Sequence, residues 1–332
     1  MRKTSFGVAT AAILLSLAAC SSGSDSASED PRLLVATTVS PITSIASSIA
    51  GDRARIEGIV PEGTNSHTFE PTPQVAELLS NADLILVNGL KLEDPTIDLA
   101  SNNKKDDTKI VEIGTIVLPE SDYIYDFSFP EEEGKPNPHL WTDPGYAIEY
   151  AGVIRDQLSE LDPRNATYYA SNFTAFEEDA AALGEAVAAD QLSVPAGNLK
   201  LLTYHDAYAY FALEYGWEVI GVVQPKSFSD PSPSDVARLI DQVVAEKLPT
   251  IFGSEVFPSV VLEEVGRATG VRYEDSLRDD DLPGRPGDPE HSWLGLMKYN
   301  FQTMVSGLGG TPTQLDAITN TRNTPDSAVY PQ

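Results

Sequence analysis

The sequence predicts an α/β protein of two lobes, each built on a central and mostly parallel sheet, joined by one long rigid backbone helix. Three observations support this fold class. The 332 residues suggest about two domains at ~150 residues each. Short runs rich in β-branched residues alternate with helical patterns both before and after a long helical region. Apolar residues make up 41% of the chain, which is enough to fill ordinary cores.

The N-terminus has the pattern of a secretory signal peptide, residues 1–19. Two basic residues precede an apolar run from Val8 to Ala19, which is too short to span a bilayer as a mature helix. Leu17-Ala18-Ala19-Cys20 resembles the lipobox of bacterial lipoproteins, which implies cleavage before Cys20 and a lipid on that cysteine. Residues 20–31 are rich in Ser and Asp, without apolar periodicity, so we expect a flexible tether to the membrane.

The first lobe is expected over residues 32–161. Its strand-like runs are Leu33–Thr37, Ala54–Val60, Leu84–Val87 and Ile110–Ile113. Helical patterns lie between them, near Ser44–Ala50 and at Gln74–Ser80. Residues 119–138 form an acidic, Pro-containing loop that we expect to be solvated, and Pro144–Leu161 follows as a helix.

A linking helix is expected over residues 162–192. Asp162 suits a cap and Pro163 the first helical position, and apolar residues then recur with a spacing near 3.6 up to about Ala189. At 1.5 Å per residue such a helix is roughly 40 Å long, which is enough to bridge two lobes.

The second lobe is expected over residues 193–310, followed by a polar tail at 311–332 with little pattern and no predicted order. The strand-like runs are Lys200–Tyr204, Trp217–Val223, Thr250–Phe252 and Gly270–Tyr273. The helical patterns are Ala207–Tyr215, Pro233–Lys247, Ser259–Thr269 and His291–Leu308. Gly309-Gly310 ends the last of these.

Charge and cysteine content exclude several classes of function. The net charge of −28, with no cluster of Lys or Arg, argues against a nucleic-acid partner. Cys20 is the only cysteine, so intramolecular disulfides, Cys-based zinc sites and iron–sulfur clusters are excluded. Any metal site must therefore use His and carboxylate ligands.

The placement of the histidines predicts a ligand site in the cleft. His67 follows the second strand through a turn-rich segment, and His205 directly follows the strand that ends at Tyr204. His139 precedes a helix, and Asp275 directly follows the strand that ends at Tyr273. Ligands of open α/β sheets bind beyond the carboxyl ends of strands, and each lobe supplies two of these residues.

Three neutral imidazoles and one carboxylate suit a four-coordinate divalent first-row metal ion such as zinc. Alternatives remain open at several positions. One residue of the run Asp279–Asp281 could replace Asp275, and His291 could lie near the metal. Asp143, Asp206 and Glu255 could orient the imidazoles, and the first two could equally be helix caps.

The chain resembles the metal-binding, substrate-binding lipoproteins of bacterial ABC importers that capture zinc or manganese. The resemblance spans about Leu33 to Leu308. It rests on Val39–Ile42, Gly63–Pro71, Asn137–Pro144, Tyr204–Tyr208, Ser232–Ser234, Phe252–Glu255 and Tyr273–Leu277.

The resemblance implies two α/β lobes joined by one long helix, with His67, His139, His205 and Asp275 as the metal ligands. Family members with Glu at the third ligand position tend to carry manganese or iron, so His205 favours Zn²⁺ over Mn²⁺. The loop before His139 departs from many zinc members, because it carries Glu and Asp in place of a His-rich stretch.

The predicted function is extracytoplasmic capture of a divalent transition metal, most simply zinc, and its delivery to an ABC permease in the membrane. A manganese carrier of the same family is the alternative within this class. A secreted zinc-dependent hydrolase is the alternative from another class, but the sequence has no His-Glu-x-x-His or Gly-x-Ser-x-Gly motif. We therefore expect a monomeric carrier, not an enzyme, anchored to the cell membrane through lipid on Cys20.

Overall fold

A computed structural model describes residues 30–224, 231–254, 259–319 and 326–331. The signal peptide, Cys20, almost all of the tether and Glu255 lie outside the described residues. Residues Arg32–Gln332 form one compact unit. In the part of the chain that is described, no helix combines the length and apolarity that a membrane crossing requires.

The first sheet contains four parallel strands in the order β2-β1-β3-β4. The elements of this half, in chain order, are β1 Leu33–Thr37, α1 Ser40–Ala50, β2 Ala54–Gly58, α2 Pro73–Asn81, β3 Leu84–Val87, α3 Asp94–Asn103, β4 Lys109–Glu112, α4 Ile113–Val117 and α5 Pro144–Leu161. Proline occupies the first turn of α1, α2, α3 and α5, where its missing N–H leaves no helical bond unmade.

One long helix, α6 Ala166–Asp190, follows a short 3₁₀ turn at Pro163–Asn165. Its 25 residues span about 37 Å at 1.5 Å per residue. It packs against α1 and α5 of the first half and against helices of the second half. The helix therefore belongs to the packing of both halves, as expected for a linking helix.

The second sheet repeats the parallel arrangement in the order β6-β5-β7-β8. Its elements are β5 Lys200–Thr203, α7 Ala209–Tyr215, β6 Glu218–Val222, α8 Pro233–Glu246, β7 Thr250–Phe252, α9 Val260–Thr269, β8 Arg272–Glu274, α10 Trp293–Gly307 and α11 Thr313–Ala317. The fold class is confirmed: two parallel sheets and a long helix form a two-lobe α/β protein.

A continuous hydrophobic core connects the two halves. It includes Val35 and Ile85 of the first sheet, Leu183 of α6, and Leu201 and Phe252 of the second sheet, all fully buried. A second, separate cluster of buried hydrophobic residues lies under α8 and α9. The shared core holds the two sheets in fixed relation, which gives the cleft between them a defined shape.

The polar tail contains order that the sequence pattern does not reveal. Besides α11, residues 326–331 pack on the first half: Val329 pairs in parallel with Glu57 of β2, and the Tyr330 hydroxyl bonds Ser40 Oγ at 3.2 Å. The expectation of a tail without order is therefore wrong for these segments, because they gain their structure from contacts with distant elements.

Candidate metal centre

Three imidazoles converge in the cleft. One nitrogen from each of His67, His139 and His205 lies within 4.8 Å of the others. The Nε2 atom of His139 is 3.1 Å from Nε2 of His67 and 2.8 Å from Nε2 of His205. Nitrogens around a tetrahedral zinc at 2.0–2.1 Å are about 3.3 Å apart, so a slight separation of the rings admits an ion.

Local structure explains why these side chains meet. His67 lies in a 3₁₀ turn, Ser66–Thr68, beyond the carboxyl end of β2, where the Asn65 side chain accepts its backbone N–H at 2.9 Å. His205 lies two residues beyond β5. His139 immediately precedes a 3₁₀ turn, Leu140–Thr142, that leads into α5.

Burial keeps the imidazoles neutral. His139 and His205 are 0% and 4% exposed, and loss of water lowers the pKa of both, to about 4 for His205. Burial likewise lowers the pKa of His67, with smaller effects from His205 and Lys135. Neutral imidazole is the form that ligates metals, so the site is preformed for a cation.

A buried asparagine orients the central imidazole. Asn137 Oδ1 accepts the backbone N–H of His139 at 3.1 Å and faces its Nδ1 at 2.8 Å. The Asn137 Nδ2 atom donates to Asp126 Oδ2 at 2.9 Å and to the Asp206 carbonyl at 2.8 Å. Because the nitrogen makes these two bonds, the amide oxygen is the atom that faces His139. His139 therefore donates from Nδ1 and presents its Nε2 lone pair to the cleft.

A buried carboxylate lies behind His205. Asp279 Oδ2 is 3.6 Å from His205 Nδ1, and Asp279 is 6% exposed. Burial, with a contribution from Asp281, raises the pKa of Asp279 to about 7. A carboxylate beside the outer nitrogen of a ligating imidazole is the usual arrangement for holding that ring toward a metal.

The structure does not bring Asp275 to the three imidazoles. Asp275 is exposed and is not part of the histidine group. It directly follows β8, as the sequence predicts, but the chain continues for four residues before it turns into the cleft at Asp279. Asn300 of α10 fixes the backbone of this segment, since its side chain forms hydrogen bonds with both the N–H and the carbonyl of Arg278.

Asp280 is the second buried acid of this segment. It is 6% exposed, and its Oδ1 atom is buried without a hydrogen-bond partner among the described residues. Burial and then Asp279 raise its pKa, while the hydroxyl and amide of Ser66 oppose the rise. Asp280 therefore lies between Ser66, the neighbour of His67, and Asp279, the partner of His205.

The remaining candidates, His291, Asp143 and Asp206, lie outside the group of three imidazoles. His291 Nδ1 faces the Pro283 carbonyl at 3.1 Å and its Nε2 is 3.7 Å from Glu62, outside the histidine group. Asp143 caps α5, because its Oδ1 accepts the Tyr146 N–H at 3.0 Å. Asp206 is 1% exposed, burial and then Asp126 raise the pKa of its carboxyl, and its backbone carbonyl accepts a hydrogen bond from Asn137.

Phe129 is a site residue that the sequence does not point to. Its ring centroid is 5.5 Å from that of His67, 5.7 Å from His139 and 6.4 Å from His205. It belongs to the acidic loop at 119–138, where neither the sequence pattern nor the spacing distinguishes Phe129 from Phe127. Only the folded course of the loop brings it to the imidazoles.

Comparison with known proteins agrees with the geometry. Residues 35–307 match the family model described as "ZnuA: Zinc-uptake complex component A periplasmic". The chain is 30% identical over 313 residues to the manganese-binding lipoprotein MntA of Halalkalibacterium halodurans, covering 93% of this chain and 99% of MntA. It is 31% identical over 279 residues to the iron-binding protein YfeA of Yersinia pestis, covering 84% of this chain and 87% of YfeA.

A solved structure supports the same relationship. The periplasmic zinc-binding protein TroA from Treponema pallidum superposes with a TM-score of 0.75 at 27% identity, covering 83% of this chain and 99% of TroA. The relatives are thus named for manganese, iron and zinc.

Proposed function

The chain belongs to the family of zinc-uptake complex component A proteins, and from that premise we propose that it captures a divalent transition metal outside the cytoplasm and delivers it to an ABC permease. The observation that carries the proposal is the convergence of three neutral imidazoles on one point, two of them buried and that of His67 partly buried. Members of this family are substrate-binding proteins of metal transport, not enzymes, and we propose no catalytic role for this chain.

Zinc is the ion that we propose the site prefers. Imidazole nitrogens suit late first-row ions, whereas calcium and magnesium sites are built from oxygen. Zinc also binds more tightly than manganese or iron(II) to nearly any nitrogen and oxygen site, as the Irving–Williams order states. Manganese is the alternative cargo, since relatives are named for it.

We propose Asp280 as the fourth ligand, in place of Asp275. Asp280 carries a buried oxygen without a hydrogen-bond partner among the described residues, and it lies beside Ser66 and Asp279. Its carboxylate is outside the 4.8 Å histidine group, so a rotation of the side chain accompanies ion binding. The ion then relieves the electrostatic penalty of a buried negative charge.

The pair Asp280→Asn and Asp275→Asn tests this assignment. We expect Asp280→Asn to weaken zinc affinity by about a hundredfold or more, since outer-shell partners alone are worth 10–100-fold. Asp275→Asn, at an exposed position, is expected to bind zinc as the wild type does. The reverse ranking in competition titrations would restore Asp275 as the ligand.

We propose further that lipid on Cys20 anchors the protein and that the monomer works beside its permease. The lipobox-like Leu17–Cys20 segment and the acidic, Ser-rich stretch after it support this. Metabolic labelling with a radioactive fatty acid tests the anchor: wild type is expected to incorporate label and Cys20→Ala to incorporate none. Size-exclusion chromatography with light scattering tests the monomer.

The carrier function is tested by metal analysis of protein purified without added metal, followed by competition titrations with zinc and manganese. One bound ion per chain is expected in wild type, and His139→Ala is expected to lose binding by orders of magnitude while remaining folded. A wild-type protein that binds neither ion would refute the proposal.

A further inference from the structure

Phe129 covers the histidine group with a side chain that cannot ligate a metal. Its ring lies within 6.4 Å, centroid to centroid, of all three imidazoles and is 6% exposed. Phe127, two residues earlier on the same loop, is 43% exposed. The loop thus turns one Phe inward over the site and leaves the other in solvent.

Hydrogen bonds hold the loop in this position. The Asp126 N–H donates to the Phe129 carbonyl at 2.9 Å, which closes a turn around the ring-bearing residue. The buried Ser128 hydroxyl donates to the Gln224 carbonyl, beyond β6 in the second half, at 3.0 Å. Asn137 bonds the Asp126 carboxylate at 2.9 Å. The segment 126–129 is therefore fastened to both halves of the molecule.

The space beyond the ring connects with His67, the most exposed of the three imidazoles. A cavity of about 280 Å³ is lined by His67, Phe129 and Lys135, among other residues. His139 and His205 do not line this cavity, and both are buried. An ion that enters from the cavity meets His67 and the Phe129 ring before it reaches the other two imidazoles.

We propose that Phe129 is the gate of the metal site, setting the rates at which the ion enters and leaves. This inference rests on the proposed metal-carrier function. The ring supplies no ligand atom, so its removal lowers the barrier in both directions and changes both rate constants together. The equilibrium affinity, which the coordinating atoms determine, then changes little.

Stopped-flow kinetics on the full-length mature protein tests the gate. Zinc-loaded protein is mixed with an excess of a chromophoric chelator to measure release, and metal-free protein is mixed with zinc to measure association. We expect Phe129→Ala to accelerate both by about tenfold, a barrier reduction of about 1.4 kcal/mol. We expect the equilibrium dissociation constant to stay within about threefold, or less than ~0.7 kcal/mol.

Phe127→Ala is the matched control and is expected to leave both rates unchanged, since that ring is in solvent. Ser128→Ala keeps the ring but removes its fastening to Gln224, and is expected to accelerate release by a smaller factor. If Phe129→Ala does not fold, Phe129→Leu takes its place, with a smaller acceleration expected.

Two outcomes would contradict the proposal that Phe129 is the gate of the metal site. One is release from the Phe129 variant at the wild-type rate. The other is faster release with unchanged association, which would mean that the ring stabilises the bound state instead of obstructing the path. Both results require a wild type that binds zinc, so they are distinct from failure of the carrier function.

Discussion

Asn137→Ala removes the side chain that holds the central imidazole. Asn137 is 0% exposed and takes part in hydrogen bonds with the His139 N–H and Nδ1, the Asp126 carboxylate and the Asp206 carbonyl. Without it, the His139 ring is free to rotate and its tautomer is no longer fixed. We expect weaker metal binding as well as a less stable fold.

The size of each effect follows from these contacts. At roughly 1 kcal/mol net for each of the four hydrogen bonds, the metal-free protein should lose about 4 kcal/mol of unfolding free energy. Loss of an outer-shell partner typically weakens metal affinity by 10–100-fold, or about 1.4–2.8 kcal/mol. His139 contacts both other imidazoles, which places the expected value toward the upper end.

Urea unfolding of metal-free protein measures the first effect, and competition titration with a chromophoric chelator measures the second. Asn172→Ala is the control, since Asn172 donates one hydrogen bond from α6 to the Ile49 carbonyl of α1, far from the site in the chain. The Asn172→Ala protein should lose about 1 kcal/mol of unfolding free energy and should bind zinc as tightly as wild type. An Asn137→Ala protein that is destabilised but binds zinc as tightly as wild type would refute the orienting role.

Three further results are expected. Zinc affinity should fall as the pH is lowered, because burial raises the pKa of the Asp280 carboxyl well above its usual value and a proton then competes with the ion, whereas the lowered pKa of the imidazoles keeps them neutral. Calorimetry at a series of pH values should show a flatter profile for Asp280→Asn. Zinc at a hundred times its dissociation constant should raise the unfolding free energy by about 2.7 kcal/mol, and a chelator should abolish the gain in thermal melts. Tyr330→Ala should cost about 2 kcal/mol in urea unfolding, since the ring packs against Gly58, with zinc affinity unchanged in titrations.

The sequence predicts the structure correctly where local pattern and topology decide it. Buried parallel strands appear as apolar runs, so Leu84–Val87 was recognised with its exact bounds. His67 and His205 follow strands that end at the same side of their sheets, and their convergence with His139 follows from that placement. The sequence pattern does not predict helix α3, because Asp94–Asn103 contains few apolar residues and begins without a side-chain cap.

The acid that we propose as the fourth ligand could not be singled out from the sequence, because distant contacts decide the course of the chain there. Asn300 holds the backbone of Arg278, and the Trp141 indole donates to the Asp279 carbonyl at 3.0 Å. These bonds carry the chain past Asp275 and turn the next acids inward. Neither contact can be predicted from the sequence near Asp275, so the position after the strand and the family resemblance both pointed to Asp275, which the structure leaves exposed.

The C-terminal segment has a consequence for how copies of this protein behave together. Strand β2 is at the edge of its sheet, and an unpaired edge offers N–H and carbonyl groups on which a second chain can add a strand. The Val329 carbonyl accepts the Gly58 N–H at 3.0 Å, and the Tyr330 ring packs on the same glycine. Residues 326–331 thereby leave less of the β2 edge available for a neighbouring molecule to add a strand.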